Sequence, residues 1–166
     1  MGSHKGTFLV AMAESNPDRR FLGVEKQSSR VDRCLKKIAR LGLVNAFAVQ
    51  GEGLAVLREF GIKATVIHVS FPDPWPKRRH HIRRLVDGKF LSEAWSLLEP
   101  GGMLRLMTDD EPYFRAMEAA VAGCDGFERA EWEDGRVYPP TEFQLKFVSR
   151  PVYRLALRRC DSMSSE

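Results

Sequence analysis

The sequence has no long apolar run, no secretory leader pattern and no cluster of metal ligands. No stretch approaches the roughly 18 apolar residues of a membrane-spanning helix, so we expect no membrane association. Cysteine occurs only at Cys34, Cys124 and Cys160, an odd number without the spacing of a metal site. We therefore expect reduced thiols in a cytoplasmic protein that holds no metal.

The composition is that of an ordinary globular protein with a local excess of positive charge. The 166 residues are 43% hydrophobic and 29% charged, which predicts a single domain over residues 1–166, with a flexible tail at 162–166. The net charge of +4 permits a nucleic-acid partner. The charge is uneven, because residues 77–84 alone contain five Lys or Arg side chains.

Strand-like and helix-like patterns alternate along the chain. Short apolar or β-branched runs predict strands over residues 20–25, 44–50, 65–70, 103–108, 127–132 and 152–157. Amphipathic spacing predicts helices over residues 7–15, 28–41, 54–60, 85–98 and 111–121, with residues 133–151 irregular. This alternation predicts an α/β fold with a mostly parallel sheet, helices on both faces and a final antiparallel hairpin at one edge.

The strongest functional signal lies in residues 64–84. A β-branched strand is followed by Phe71-Pro72-Asp73-Pro74-Trp75-Pro76 and then by the cationic run. The prolines end the strand and stiffen the loop, so Asp73 is held beyond the strand's carboxyl end, where ligands bind in open α/β sheets. The cationic run predicts a polyanion partner, although a basic run can also be a solvated face and a loop Asp a simple turn former.

The segment Phe71-Pro72-Asp73-Pro74-Trp75-Pro76-Lys77, with its basic continuation, resembles the signature of the bacterial tRNA (guanine-N7-)-methyltransferases. Further similarities are Gly23-Val24-Glu25, Thr108-Asp109-Asp110-Glu111-Pro112-Tyr113 and Thr141-Glu142-Phe143. The resemblance implies a Rossmann-like class I fold, S-adenosyl-L-methionine as cofactor and tRNA as partner, in a monomer or homodimer. It implies methylation of guanine N7 in the tRNA variable loop, at position 46 of the usual tRNA numbering.

The start of the chain departs from the family pattern. Met1-Gly2-Ser3-His4-Lys5-Gly6 aligns with Ile-Gly-x-Gly-x-Gly, keeps Gly2 and Gly6 as cofactor-binding glycines, and has His4 for the middle glycine. The preceding acid and first strand are absent, and Gly-Ser-His resembles a cloning remnant. We therefore expect an N-terminally truncated chain whose sheet lacks its first strand. The alternative function is a catalytically impaired RNA-binding fragment of such an enzyme.

Three acids carry the predicted cofactor chemistry. Glu25, at the end of a strand, suits the two hydroxyls of a ribose, although a surface acid is the alternative. The resemblance places Glu52 near the adenine amine and makes Asp73 the catalytic acid beside the methyl donor. Guanine N7 has a free lone pair and no proton to lose, so Asp73 is expected to orient the base or favour the sulfonium charge rather than act as a strong base.

The resemblance also implies the substrate-binding residues. Those expected to contact RNA or guanine are Lys77, Arg79, His80, His81, Arg83, Arg84, Asp109, Thr141, Glu142, Phe143 and Gln144. Gln144 stands where the family usually has an acid, which loses a charge. Asp109 could bind the guanine N1–H and N2–H₂ groups or cap the following helix, and Trp75 could stack on a base or anchor its loop.

Overall fold

The computed structural model describes residues 2–132 and 138–161. The predicted tail at 162–166 and the first part of the predicted irregular segment, residues 133–137, lie outside the described residues. The described chain divides into two compact units, the first made of residues 2–59 and 138–149 and the second of residues 60–132 and 150–161.

The first unit is a two-stranded parallel sheet with its helices. Its elements are α1 Thr7–Ser15, β1 Phe21–Glu25, α2 Ser28–Arg40, β2 Ala46–Gln50, α3 Gly53–Glu59 and α6 Glu142–Lys146. The strands pair in parallel from Phe21 opposite Ala46 to Glu25 opposite Gln50, so their carboxyl ends lie at the same edge. The apolar sides of α1 and α2 form the core with β2 through Leu9, Val10, Ala13, Cys34, Ile38 and Ala46.

The second unit is a four-stranded mixed sheet with two α-helices and one short 3₁₀ helix. Its elements are β3 Ala64–Ser70, the short 3₁₀ helix η1 Arg78–Arg83, α4 Gly88–Leu97, β4 Leu98–Thr108, α5 Glu111–Ala122, β5 Phe127–Ala130 and β6 Tyr153–Arg159. The strand order is β3-β4-β6-β5, in which β3 and β4 are parallel and β6 is antiparallel to both of its neighbours. The helices α4 and α5 contact each other and β4.

Most predicted elements are confirmed, and the differences have local causes. The helix predicted from residue 85 begins at Gly88, because the Asp87 side chain accepts from the Phe90 amide at 2.8 Å and caps it there. The helix α6 lies in a segment predicted to be irregular. The final strands are antiparallel as predicted, but β6 inserts beside β4 and leaves β5 at the edge.

The parallel pairing is divided between two sheets rather than carried by one. The strands β1 and β2 form one sheet, and β3 belongs to the other. No helix in the described part of the chain is long and apolar enough to cross a membrane.

Candidate functional site

The turn before α1 adopts the backbone conformation expected of a glycine-rich loop. Gly2, His4 and Gly6 all have left-handed φ values, of +70°, +50° and +76°. The Gly2 amide donates to the Val24 carbonyl at 2.9 Å, which fixes the turn against β1. At Gly6 a Cβ would lie 2.3 Å from Sγ of Cys34, so only glycine fits there without movement.

Glu25 ends β1 directly beneath this turn, as the sequence predicted, and its carboxylate is buried. One oxygen accepts from the His4 amide at 3.0 Å and the other from the Gln27 amide at 3.1 Å. The Arg30 guanidinium lies 3.8 Å away. A carboxylate has about four acceptor positions, so these two hydrogen bonds leave capacity for a diol. The alternative that Glu25 is a solvated surface acid is wrong.

His4 does more than replace a glycine, because its side chain holds a second acid. Its Nδ1 lies 2.9 Å from Glu142 Oε2, while Lys5 and Lys146 place Nζ 3.5 and 3.3 Å from Glu142 Oε1. Burial raises the pKa of Glu142, but the hydrogen bonds from His4 and Lys146 and the charges of His4 and Lys5 outweigh it and lower the pKa overall. Sequence reasoning missed this contact, because 138 positions separate the partners.

The second predicted substrate motif is also a helix cap. The Thr141 hydroxyl accepts from the Gln144 amide at 3.2 Å, and Gln144 Oε1 accepts from the Thr141 amide at 2.9 Å. This reciprocal capping box starts α6. The Thr-x-x-Gln spacing is a readable signal that our sequence analysis missed. Gln144, which stands where the family usually has an acid, therefore forms part of this helix cap. Next to it, Phe143 packs on Phe147 with ring centroids 4.6 Å apart.

Glu52 follows β2, and its side chain is exposed. Its carboxylate accepts from Lys26 Nζ at 2.8 Å, and this hydrogen bond together with the lysine charge lowers the pKa of Glu52. The preceding Gly51 amide donates to the Glu25 carbonyl at 3.1 Å, which ties the ends of β1 and β2 together. Glu52 and Glu25 therefore occupy the same edge of the parallel pair, as the sequence predicted.

In the second unit, the proline-rich loop holds Asp73 in a strained backbone. Phe71 and Trp75 have left-handed φ values of +52° and +46°, which cost roughly 1–2 kcal/mol each for residues with a side chain. The Phe71 amide donates to the Met107 carbonyl at 2.7 Å, so the loop leaves the end of β3 in a fixed direction. Asp73 is exposed, and no hydrogen bond or ion pair to it is present among residues 2–132 and 138–161.

The cationic run folds back onto this loop. Trp75 is half-buried, with the Arg83 guanidinium 5.0 Å over its ring and the His80 ring edge-on at 5.8 Å. The Arg84 Nε donates to the Pro74 carbonyl at 2.8 Å. Trp75 therefore anchors the loop to η1, which favours the structural alternative for this residue. The exposed cationic side chains in the run are those of Lys77, Arg78, Arg79 and Arg83.

Asp109 follows β4, but it does not cap the next helix. The cap of α5 is Asp110, whose carboxylate accepts from the Tyr113 amide at 2.7 Å. Asp109 instead pairs through Oδ2 with Arg150 Nη1 at 2.6 Å, and only 15% of its side chain is exposed. The capping alternative for Asp109 is therefore wrong, and its partner Arg150 was not predicted.

The predicted residues thus fall into two groups, one in each unit. The first unit contains four of the cofactor candidates, Gly2, Gly6, Glu25 and Glu52, with the α6 motif. The second contains the fifth, Asp73, with the cationic run and Asp109. Within the two described ranges, no group of three or more His, Cys, Asp or Glu side chains could hold a metal ion.

This chain is similar to known methyltransferases. Residues 1–154 match the family described as "Putative methyltransferase". A tRNA (guanine-N(7)-)-methyltransferase of Levilactobacillus brevis is 32% identical over 163 residues, covering 93% of this chain and 76% of the relative. The enzyme of that name from Thermus thermophilus is 39% identical over 149 residues, covering 88% of this chain but 46% of the relative. The chain therefore spans three quarters of one relative and about half of the other.

Solved structures show the fold. TrmN from Thermus thermophilus matches with a TM-score of 0.66 at 19% identity, covering 95% of this chain and 42% of that one. The aminoglycoside resistance methyltransferase NpmB1 matches with a TM-score of 0.59 at 20% identity, covering 95% and 84%. These likenesses confirm the predicted Rossmann-like class I methyltransferase fold.

Proposed function

Because this chain belongs to the tRNA (guanine-N(7)-)-methyltransferase family, we propose that it transfers a methyl group from S-adenosyl-L-methionine to N7 of a guanine in the tRNA variable loop. The observation that carries the proposal is the strained Asp73 loop at the end of β3, joined directly to an exposed cationic run. A fixed carboxylate beside a polyanion-binding surface is what chemistry on a nucleic-acid base requires. Such a reaction belongs in the cytoplasm, where tRNA is found.

We assign cofactor binding to the first unit. The left-handed turn at Gly2 and Gly6 lies beside the end of β1, and its outer residue Gly2 is exposed, with nothing within 4 Å of a Cβ placed there. Glu25 keeps acceptor capacity for the two ribose hydroxyls, and Glu52 is the candidate for the adenine amine. These residues fit the nucleoside part of S-adenosyl-L-methionine, which when bound supplies an electrophilic methyl group on a sulfonium.

We assign guanine and RNA recognition to the second unit. Asp73 orients the base so that its N7 lone pair lies in line with the incoming methyl, and its negative charge favours the cationic donor. No residue has to remove a proton from N7. Asp109 can accept hydrogen bonds from guanine N1–H and N2–H₂ if Arg150 moves aside, and Lys77 and Arg79 contact phosphates.

We include part of the α6 motif as a candidate substrate contact. Thr141 and Gln144 are occupied in the helix cap, which limits what they can offer a ligand. Within this motif, Glu142 and Phe143 are the residues that we propose contact the substrate, as the family resemblance implies. Glu142 is also held by His4, so a substrate contact there would compete with this hydrogen bond.

A methyl-transfer assay tests this function. The protein is incubated with S-adenosyl-L-methionine labelled in its methyl group and an unmodified tRNA transcript, and N7-methylguanine is located by aniline cleavage at the labile nucleoside. We expect one labelled guanine, and Asp73→Asn should lower kcat by roughly tenfold or more because orientation is lost. The matched control is Glu99→Gln, an exposed acid outside the site, which should leave the rate unchanged. Label at another atom, or full activity of Asp73→Asn, would contradict the proposal.

A further inference from the structure

We propose that Arg84 is a positioning residue that holds the Asp73 loop, rather than a ligand of the RNA phosphates. This inference rests on the proposed function and adds a role that the family resemblance does not give. The resemblance groups Arg84 with the RNA-contacting cations of its segment. The structure separates it from them by burial and by contacts.

The first observation is the hydrogen bond from Arg84 to the loop. Its Nε donates to the Pro74 carbonyl at 2.8 Å, one residue after Asp73. Proline stiffens this backbone, but Phe71 and Trp75 on either side hold left-handed conformations that residues with a side chain adopt only at a cost. A donor fixed at the middle of such a loop opposes its relaxation and keeps the carboxylate in place.

The second observation is that the Arg84 guanidinium also contacts the buried Tyr113 ring. Its guanidinium lies 4.9 Å over the Tyr113 ring, and the Tyr113 hydroxyl accepts from the Val86 amide at 3.0 Å. Tyr113 is fully buried in α5, the helix that Asp110 caps. Arg84 therefore connects the Asp73 loop to a rigid helix, and its planar group is used by both contacts.

The third observation concerns the other cations of the run. Arg78, Arg79 and Arg83 are exposed, and Arg84 is half-buried. Arg83 covers Trp75, which carries the strained backbone at the end of the loop. Exposed guanidinium groups suit phosphate contacts, and a half-buried one that already binds loop and ring suits positioning. The run thus has an outer side for RNA and an inner side for the loop.

The experiment compares Arg84→Lys with Arg79→Ala in steady-state methylation of tRNA and in tRNA binding at several salt concentrations. Lysine keeps the positive charge but lacks the Nε donor and the planar group that lies over Tyr113. We expect Arg84→Lys to lower kcat about tenfold or more, with KM and the salt dependence of tRNA binding unchanged. Arg79→Ala should weaken binding and lower the slope of log Kd against log salt by about one. Wild-type kcat for Arg84→Lys, together with weaker and less salt-dependent binding in Arg84→Ala, would overturn the inference.

A second readout does not depend on activity. Fluorinated tryptophan gives three resonances, from Trp75, Trp95 and Trp132, and Trp75→Phe assigns the loop signal. In the free protein, Arg84→Lys should shift or broaden the Trp75 resonance, while that of Trp95 stays unchanged. A changed Trp75 resonance in a protein without methyl transfer would keep the positioning role and reject the proposed function. An unchanged Trp75 resonance would reject the positioning role even if the enzyme is active.

Discussion

The turn that we assign to the cofactor makes a quantitative prediction at Gly6. Alanine there would have to adopt φ near +76°, which costs about 1–2 kcal/mol for a residue with a Cβ. The added Cβ would also lie 2.3 Å from Sγ of the fully buried Cys34. Forcing one extra carbon into a packed core typically costs about 1–3 kcal/mol. Gly6→Ala should therefore lower the free energy of unfolding by about 2–5 kcal/mol.

Gly2 supplies the matched control within the same turn. Its φ is +70°, but a Cβ there would meet nothing within 4 Å. Gly2→Ala should therefore cost only the conformational part, about 1–2 kcal/mol. The difference between the two variants isolates the contact with Cys34, and Cys34→Ala should relieve much of it in the Gly6→Ala background.

Urea denaturation followed by far-ultraviolet circular dichroism measures both variants. All three tryptophans lie outside the unit that carries the turn, so tryptophan fluorescence would report on the other unit. Equal losses in Gly6→Ala and Gly2→Ala, or no coupling between Gly6→Ala and Cys34→Ala, would refute the packing on which the turn's geometry depends.

Three further predictions follow from the two acid pairs and the helix cap. The pKa of Glu142 lies below its ordinary value of 4.5. Its contribution to stability is therefore present above pH 4.5 and is lost as the pH falls through the folded-state pKa. In denaturation experiments across this pH range, Glu142→Gln should lower the free energy of unfolding by about 1 kcal/mol or less at pH 7 and should have no effect in acid. Arg150→Ala should free Asp109 for guanine and lower KM for tRNA a few-fold, whereas a raised KM would make Arg150 itself a substrate contact. Thr141→Ala should cost about 0.5–2 kcal/mol by losing the cap of α6, while Gln144→Glu preserves the capping box and should change stability by less than about 0.5 kcal/mol.

The order of elements was predictable because each has a local signal. Pro17 ends α1, Gly42 with φ of +64° follows α2, and the prolines after Ser70 end β3. These residues restrict the backbone wherever they occur, so they act without tertiary context. The helix α4 was predicted to begin three residues too early, because apolar spacing starts at Leu85 but the side chain that caps the helix is that of Asp87, through the Phe90 amide.

The places of the candidate residues at strand ends were predictable from the sequence, but their side-chain contacts were not. Motif resemblance indicated Asp73, Glu25 and Asp109, and all three lie at carboxyl ends of strands. It could not reveal that His4 binds Glu142 or that Arg150 binds Asp109, because these pairs join distant segments through side chains. Long-range pairs of this kind depend on tertiary packing and leave no periodic pattern in a single sequence.

Isothermal titration with S-adenosylhomocysteine tests the central claim, that this chain is a cofactor-dependent methyltransferase, most directly. We predict saturable binding of one molecule per chain, lost in Glu25→Ala and retained in the matched control Glu99→Gln. This result would place the cofactor beside the turn of Gly2 and Gly6. The absence of binding in a folded, monodisperse sample would contradict the claim and leave the chain as an RNA-binding fragment of a methyltransferase.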